Sequence, residues 1–556
     1  MKKKVENIWD VISPKVKITN PGDVTTNLLK NRGLTTKQLK DEFFHPRAPK
    51  DISTSDVGLK TKDIEKGIRR IIESREKHQK VIVYGDYDAD GICATAIMWE
   101  CLYENGIDAI PYIPDRFSDG YGLNEKSIQR IKEKHKDLSL IITVDNGIVA
   151  NSAVEAAQEM GIDTIITDHH EPGEKYPKAF CVVHSQEIGG AGVAWFFARE
   201  VRKALQSTHV ANHEGLELAA IGTIADQIPL LSANRSLVTF GLEELKNTKR
   251  VGLKSLLTRS GVDSESIDTN TVGFVIAPRL NAMGRLEHAI ESLRLLCTKS
   301  VNKANELANH LEKTNKKRQE VVEEVIAHAR ESALNGTDSV IVLAHESYHQ
   351  GVVGLAASKL VDEYHRPAIV FSILGKESKA SARSIEGFNI IEAIREHKSM
   401  LLAAGGHPMA AGVKIKTNKI EAFRKKLNLS SQALLTPQML TPRLTIEFEL
   451  PFKVLHWDLL ESLHDFAPFG SGNKTPLFLT KSVSAWDIRA IGTEGRHLKF
   501  KVTKDSKTLD AIGFGMGNLS QSMTEECTAD IVYYFEENEY RGVKSMQLRI
   551  RDMKFD

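Results

Sequence analysis

Cysteine is scarce in this chain. Among 556 residues there are five, Cys93, Cys101, Cys181, Cys297 and Cys527, and no two form a C-x-x-C pair. That excludes a disulfide framework and a thiolate metal site, and it fits a reducing, intracellular setting. Long apolar runs are also missing. Nothing approaches the roughly 18 residues that a membrane span needs. The start, Met1 to Asp10, is basic but lacks an apolar core segment, so no signal peptide is expected. Neither sign of charge dominates: 74 Lys and Arg stand against 73 Asp and Glu, a net charge of +1. A nucleic-acid partner would therefore have to meet local basic clusters. No serine or cysteine nucleophile stands beside a recognisable base. What remains is the composition of an ordinary globular enzyme, 41% hydrophobic and 26% charged. The length predicts about three or four domains.

The chain is organised around Val81-Ile82-Val83-Tyr84-Gly85-Asp86-Tyr87-Asp88-Ala89-Asp90-Gly91. Val81 to Val83 reads as a buried strand, and Ile92 to Trp99 as the start of a helix. Three aspartates thus fall where a strand ends and a helix begins, the edge at which open α/β sheets bind ligands. Such close like charges repel unless a cation or protons intervene. Hard divalent cations favour carboxylate oxygen. The competing reading is a solvated acidic turn.

The unit then recurs. Leu138 to Val144 is a strand ending in Asp145-Asn146-Gly147, followed by a helix over Asn151 to Met160. Thr164 to Thr167 is a strand ending in Asp168-His169-His170. Three strand–carboxylate units predict a parallel, doubly wound sheet whose strand ends share one rim. Asp86, Asp88, Asp90, Asp145, Asp168, His169 and His170 are expected to converge there. Asp226, at the end of a helix over Leu216 to Ile224, is either a further ligand or a helix end.

Other segments admit two readings. Asp115 to Asn124 is a glycine-rich loop of binding type, or a turn capped by Asn124 before the helix Glu125 to Lys134. Gly189-Gly190-Ala191-Gly192 could cradle phosphate, but a close-packed turn before a helix over Val193 to Leu205 is preferred. Arg279 and Arg285 flank a small-residue turn suited to phosphate or to ion pairs. Val301 to Ala333 reads as one helix about 50 Å long. Its polar middle, Thr314 to Arg318, suggests a connector crossing solvent. A second α/β body follows, with Ser381, Arg383 and Ser384 on a strand and Gly405-Gly406-His407-Pro408 as a loop. The end is strand-rich: Leu444 to Leu450, Leu477 to Leu479, His497 to Val502, Ala511 to Phe514, Ile531 to Phe535 and Met546 to Arg551 suggest a five-stranded barrel of OB type. His497-Leu498-Lys499-Phe500-Lys501 suits single-stranded nucleic acid, or simply alternates core and solvent positions.

The ordered set Asp86-Tyr87-Asp88-Ala89-Asp90-Gly91, Asp145-Asn146-Gly147, Asp168-His169-His170 and Asp226 resembles the DHH phosphoesterases. The Gly405-Gly406-His407 segment resembles the domain that accompanies DHH in that family. Ile113 to Gly122, Pro278-Arg279-Leu280-Asn281-Ala282 and Ala467-Pro468-Phe469-Gly470-Ser471-Gly472-Asn473 are similar to the RecJ branch, the bacterial single-strand-specific exonucleases. The resemblance runs from about residue 40 to the end. It implies digestion of single-stranded DNA from the 5′ end, with two divalent cations, Mn2+ or Mg2+, in recombination and repair.

The resemblance also implies metal ligation by Asp88, Asp90, Asp145, His169 and Asp226, with Asp86, Asp168 and His170 lining or completing the site. His170 or His407 would protonate the departing oxygen. Arg116, Tyr121, Arg279, Asn281, Ser381, Arg383, Gly405 and Gly406 would bind substrate. Single-strand-binding protein and a helicase are implied as partners, with a monomeric, cytoplasmic enzyme and no membrane. Two departures stand out: His184-Ser185 where the family often has Asn-Pro, and Ala380 and Ala382 flanking Ser381 in place of glycines.

The expected fold class is therefore α/β. A DHH-type doubly wound parallel sheet domain is joined by a long helix to a second α/β domain, with an OB-like β-barrel at the C-terminal end. The expected bodies are a lead-in over 1–75 packed on the catalytic domain, the catalytic domain at 76–298, the connecting helix at 299–335, a substrate-binding domain at 336–432 and the barrel at 433–556. Two other functions fit parts of the pattern: a DHH phosphodiesterase acting on short oligonucleotides or cyclic dinucleotides, and a non-catalytic DHH-type DNA-binding scaffold. The barrel argues against the first, and the complete acidic set against the second.

Overall fold

A computed structural model describes residues 7–206, 215–333, 338–523 and 526–555. The basic first six residues and the end of the expected connector at 334–335 lie outside the described residues. The chain forms two compact units, residues 47–440 and residues 1–46 with 441–556.

The larger unit contains the parallel sheet. Its strands are β1 (Lys80–Tyr84), β2 (Ala109–Tyr112), β3 (Leu138–Val144), β4 (Asp163–Asp168) and β5 (Cys181–His184). They lie in the order β2-β1-β3-β4-β5, every pair parallel. Alternation of side chains explains why these runs are apolar throughout. Val81 and Val83 face a core shared with the helices Ala89–Glu104, Gly190–Ala204 and Leu216–Ala225. Ile82 and Tyr84 face another, under the helices Glu125–Lys134 and Asn151–Glu159. The order reverses around β1, so the aspartate loop leaves the sheet at its switch point, where such sheets bind ligands.

The helix Val301–Ala333 forms as the sequence predicts. Leu307, Ala308 and Leu311 belong to the core of the first lobe, and Val322, Val325, Ile326 and Ala329 to a core in the second. Its middle differs from expectation. Thr314 and Asn315 are buried, with Thr314 donating to Glu287 (2.9 Å) and Arg318 to Asn315 (3.1 Å). Lys316 and Lys317 do face solvent, as expected, but Thr314, Asn315 and Arg318 find polar partners at the joint between the lobes.

The second lobe is a mixed sheet in the order Leu401–His407, Ala410–Lys416, Glu377–Arg383, Ala368–Leu374, Ile341–His345, with only the last pair parallel. The expected Gly405–Pro408 loop is in fact mostly strand. Gly405, Gly406 and His407 pair with Gly412, Ala411 and Ala410 in a hairpin.

In the smaller unit, five strands close into a barrel: Phe478–Ile491, His497–Lys504, Lys507–Gly513, Glu526–Tyr540 and Val543–Phe555. The expected strand over Leu444 to Leu450 is not one of them. Arg443–Ile446 pairs in parallel with Ile8–Val11. The lead-in therefore divides, residues up to 46 belonging with the barrel and Arg47 onward with the catalytic lobe. Arg32 explains the attachment: it donates to Asn473 (2.7 Å) and pairs with Glu447 (3.2 Å), and Asn473 itself donates to the carbonyls of Phe466 and Pro468. The Ala467–Asn473 motif is thus a structural joint. Leu498, Phe500 and Val502 are all buried, so Phe500 belongs to the barrel core and is not a base-stacking surface.

Candidate metal centre

Each acidic group reaches the rim for a local reason. Asp88 is the N-cap of the helix Ala89–Glu104, and its Oδ1 accepts from the Gly91 amide (3.0 Å). Asn281 supports this turn by accepting from the Ala89 amide (2.7 Å). Asp90 accepts from the amides of Gly190 (2.8 Å) and Ala191 (2.9 Å). The glycine segment therefore starts its helix at Gly190, earlier than expected, and its amides hold a carboxylate, not a phosphate. A Cβ on Gly190 would lie 2.2 Å from Asp145 Oδ1, and one on Gly222 would lie 2.2 Å from Asp90 Oδ1. Asp145 takes a left-handed backbone, φ 60°, which few residues other than Asp, Asn and Gly tolerate. Asp226 caps the C-terminus of Leu216–Ala225.

These groups converge. Ligand-type atoms of Asp86, Asp88 and Asp145 lie within 4.8 Å of one another, as do those of Asp90, His169 and Asp226, and those of Asp145, His169 and His170. His169 Nε2 is 3.1 Å from Asp145 Oδ1, 3.6 Å from Asp226 and 3.9 Å from Asp90. Asp86 Oδ1, Asp145 Oδ1 and His169 Nε2 are buried without a hydrogen-bond partner. Buried polar atoms left this way are costly. Acceptors of these types crowded together fit divalent cations.

The electrostatics follow. Burial, then the Asp226 and Asp88 charges, pushes Asp90 up to about 8. Burial and Asp88 raise Asp226 to about 6, and Asp86 and Asp145 stand well above their ordinary value. Burial and the neighbouring His170 hold His169 down to about 4, a neutral ring with a lone pair to offer. His170 behaves oppositely. Burial disfavours its charge, but the Asp168 carboxylate 2.8 Å away outweighs that and pushes it up to about 9.

Asp168 differs from the other predicted ligands. It accepts from His170 Nδ1 and from the amides of Ile148, His169 and His170, so its charge is already satisfied. It belongs to none of the three ligand groups and orients His170.

The predicted substrate residues divide. Tyr121 Oη lies 3.1 Å from His170 Nε2, and the Arg116 guanidinium sits 4.2 Å above the Tyr87 ring. Arg383 donates to Ser381 (2.9 Å), beside Gly354 in the first turn of the helix Val353–Tyr364. Arg279 is engaged elsewhere, in an ion pair with Glu312 (2.6 Å). Gly405, Gly406 and His407 are exposed. Among the described residues, no hydrogen bond, ion pair or ring contact joins His407 to the carboxylates.

Arg285, absent from the predicted set, is within reach of the Asp88 charge. Burial and the nearby charges of Arg116, Arg318 and Arg383 lower it to about 10, with Asp88 the opposing charge. Arginines gathered without matching carboxylates suit phosphate. The one signal in the sequence was its place in the same small-residue segment as Arg279, which forms a helix, Ala277–Leu286, and not the expected turn.

The DHH family N-terminal domain matches residues 80–223, the DHHA1 domain residues 337–430 and the RecJ OB domain residues 446–552. The single-stranded-DNA-specific exonuclease RecJ of Bacillus subtilis is 37% identical over 98% of this chain and 70% of its own length. The chain belongs to the RecJ family. The Escherichia coli RecJ is 30% identical, covering 88% of this chain and 89% of that protein. A crystal structure of Thermus thermophilus RecJ in complex with Mn2+ superposes with a TM-score of 0.83 at 28% identity, covering 100% of this chain and 80% of that one. Another RecJ structure, bound to manganese, gives 0.61 at 32% identity over 68% of this chain and 96% of that one.

Proposed function

We propose that this RecJ-family chain is a metal-dependent exonuclease that digests single-stranded DNA 5′→3′, releasing mononucleotides in recombination and repair. The observation that supports it most is the crowding of buried, unpartnered Asp86, Asp145 and His169 atoms at the sheet rim. Asp86, Asp88, Asp90, Asp145, His169 and Asp226 would hold two divalent cations, Mn2+ or Mg2+. When bound, such ions stabilise charge on phosphorus and lower the pKa of a water.

The protein's own groups do the rest. Arg116, Arg285 and Arg383, with Ser381, hold phosphate oxygens, and Arg279 braces the helix Ala277–Leu286 against Val301–Ala333 through Glu312. As the water oxygen adds to phosphorus, the bond to the 3′ oxygen breaks. His170, charged at neutral pH and held by Asp168, is placed to give that oxygen a proton. His407, exposed on its hairpin, is the weaker candidate. Single-stranded DNA is the substrate. Single-strand-binding protein, a helicase, a monomeric state and the cytoplasm complete the reading by family. Among the described residues no helix is long and apolar enough to cross a membrane.

The test is digestion of single strands labelled at either end, with Mn2+ and with a blunt duplex as control. Labelled mononucleotide appearing at once from the 5′ label, late from the 3′ label and scarcely from duplex supports the reading. Early release from the 3′ label, or equal digestion of duplex, overturns it.

A further inference from the structure

A cavity of about 490 Å3 opens at the carboxyl end of β5, within the range of small-molecule sites. Lys60, Asp63, Tyr176, His184, Gln186 and Glu187 line it. It adjoins the metal centre, because His184 Nε2 donates to the His170 carbonyl across 2.8 Å. Tyr176 is half exposed and meets the His184 ring edge to face, 6.1 Å apart at 86°.

Sheet order gives the cavity its meaning. The loop that carries Arg116 follows β2, at one edge, and the cavity follows β5, at the other. The ligand groups after β1, β3 and β4 lie between them. A strand that runs along this rim, with one phosphate over the ligands and its terminal phosphate toward Arg116, continues toward β5. The lining matches a nucleoside. The half-exposed Tyr176 ring offers a stacking surface, with the His184 ring perpendicular beside it, and an amide and carboxylates can meet the amino and imino edges of a base. Asp63 and Glu187 repel phosphate, so the backbone keeps to the side of the cavity that Lys60 lines.

We propose that this cavity receives the nucleoside immediately 3′ of the bond that is cut, its base against Tyr176 and His184 and its phosphate beside Lys60. The assignment rests on the exonuclease reading above. It gives a task to His184, which the metal centre itself does not use.

The test uses the full-length protein in EDTA with single strands carrying 2-aminopurine at the second or the sixth position. Wild type should quench the second position at least about twofold more than the sixth. Tyr176→Ala should erase that difference and Tyr176→Phe should keep it. In Mn2+, Tyr176→Ala should raise KM about fivefold or more, the low end of losing one stacked base, with kcat nearly unchanged. Lys60→Ala, which leaves the rings intact, should lower the salt dependence of binding by about one unit of slope. It carries the test if Tyr176→Ala fails to fold. Equal quenching at both positions, or a difference that survives Tyr176→Ala, overturns the assignment, as does an unchanged salt slope in Lys60→Ala. Wild type that leaves single strands uncut in Mn2+ overturns the exonuclease reading instead.

Discussion

Oδ1 of Asp145 and Nε2 of His169 lie 3.1 Å apart, both buried, and neither makes a hydrogen bond. Two elements far apart in the chain deliver them, one by a left-handed turn after β3 and the other by the end of β4. A folded protein keeps such a pair only if something else satisfies it.

Removing the carboxylate therefore separates chemistry from stability. Asp145→Asn should reduce hydrolysis to about a thousandth or less, the scale of deleting a charge-stabilising group. Single-strand affinity should change little. In EDTA the variant should melt higher than wild type, since it takes an ionisable carboxyl out of a buried place and relieves the repulsion from Asp90, Asp88, Asp86 and Asp168. Its Mn2+-induced rise in Tm should vanish. Wild-type turnover, or an undiminished Mn2+ shift in calorimetry, would defeat the assignment.

The raised carboxyls predict a pH dependence with a definite sign. An unfolded Asp ionises near 3.8, whereas folded Asp90 stands at about 8 and Asp226 at about 6. Between those values the folded state binds more protons, so stability falls as pH rises. His169, held at about 4, contributes in the opposite sense only below its ordinary value of 6.5, outside the window from pH 6.5 to 8.5, where Asp226 is already ionised and Asp90 acts together with His170, whose rise to about 9 adds in the same sense. Metal-free protein should accordingly melt lower at pH 8.5 than at 6.5. The Mn2+ shift should grow over the same range, because ligands must lose their protons. A metal-free Tm that climbs with pH contradicts this.

Close backbone approach sets a third expectation. Gly190→Ala and Gly222→Ala would each place a methyl 2.2 Å from a ligand carboxylate, of Asp145 and Asp90 respectively. Each should cost about 1–3 kcal/mol of stability, the usual penalty of overpacking. Each should also weaken Mn2+ affinity by a larger factor than it changes single-strand affinity. Titration calorimetry of both variants checks the pair, and unaltered Mn2+ binding would refute the packing argument.

Much of this site was legible in the chain. Carboxylates ending apolar runs mark a parallel sheet's rim, and period alone aligned Asp86, Asp145 and His169. What sequence could not resolve was partner choice. Asp168 read as one more ligand, yet in the structure its oxygens accept from three amides and the His170 ring. Arg279 and Arg285 were equivalent on paper, and only packing paired the first with Glu312 and left the second among arginines. The polar middle of Val301–Ala333 suggested solvent because its partner Glu287 is distant in sequence. The hairpin of His407 was hidden by its glycines, and Arg443–Ile446 looked like a barrel strand until Ile8–Val11 proved to be its neighbour.

The barrel offers a last separation, between two aromatic residues on adjoining strands. Phe500 is buried in the core, whereas Trp486 is 36% exposed, with the Lys501 ammonium 5.1 Å from its ring. Its indole donates to Thr503 (2.9 Å), which fixes the plane. An exposed, oriented ring beside a cation is what sequence-tolerant binding of single strands uses. Phe500→Ala should cost about 3–5 kcal/mol of stability, as large core truncations do, and should lower affinity only through unfolding. Trp486→Ala should leave the melting curve in place and weaken single-strand binding by about 1–3 kcal/mol, one stacked base. Anisotropy titrations with a labelled oligonucleotide, run beside thermal melts, distinguish them. If Trp486→Ala binds like wild type while remaining folded, this face of the barrel does not touch the strand.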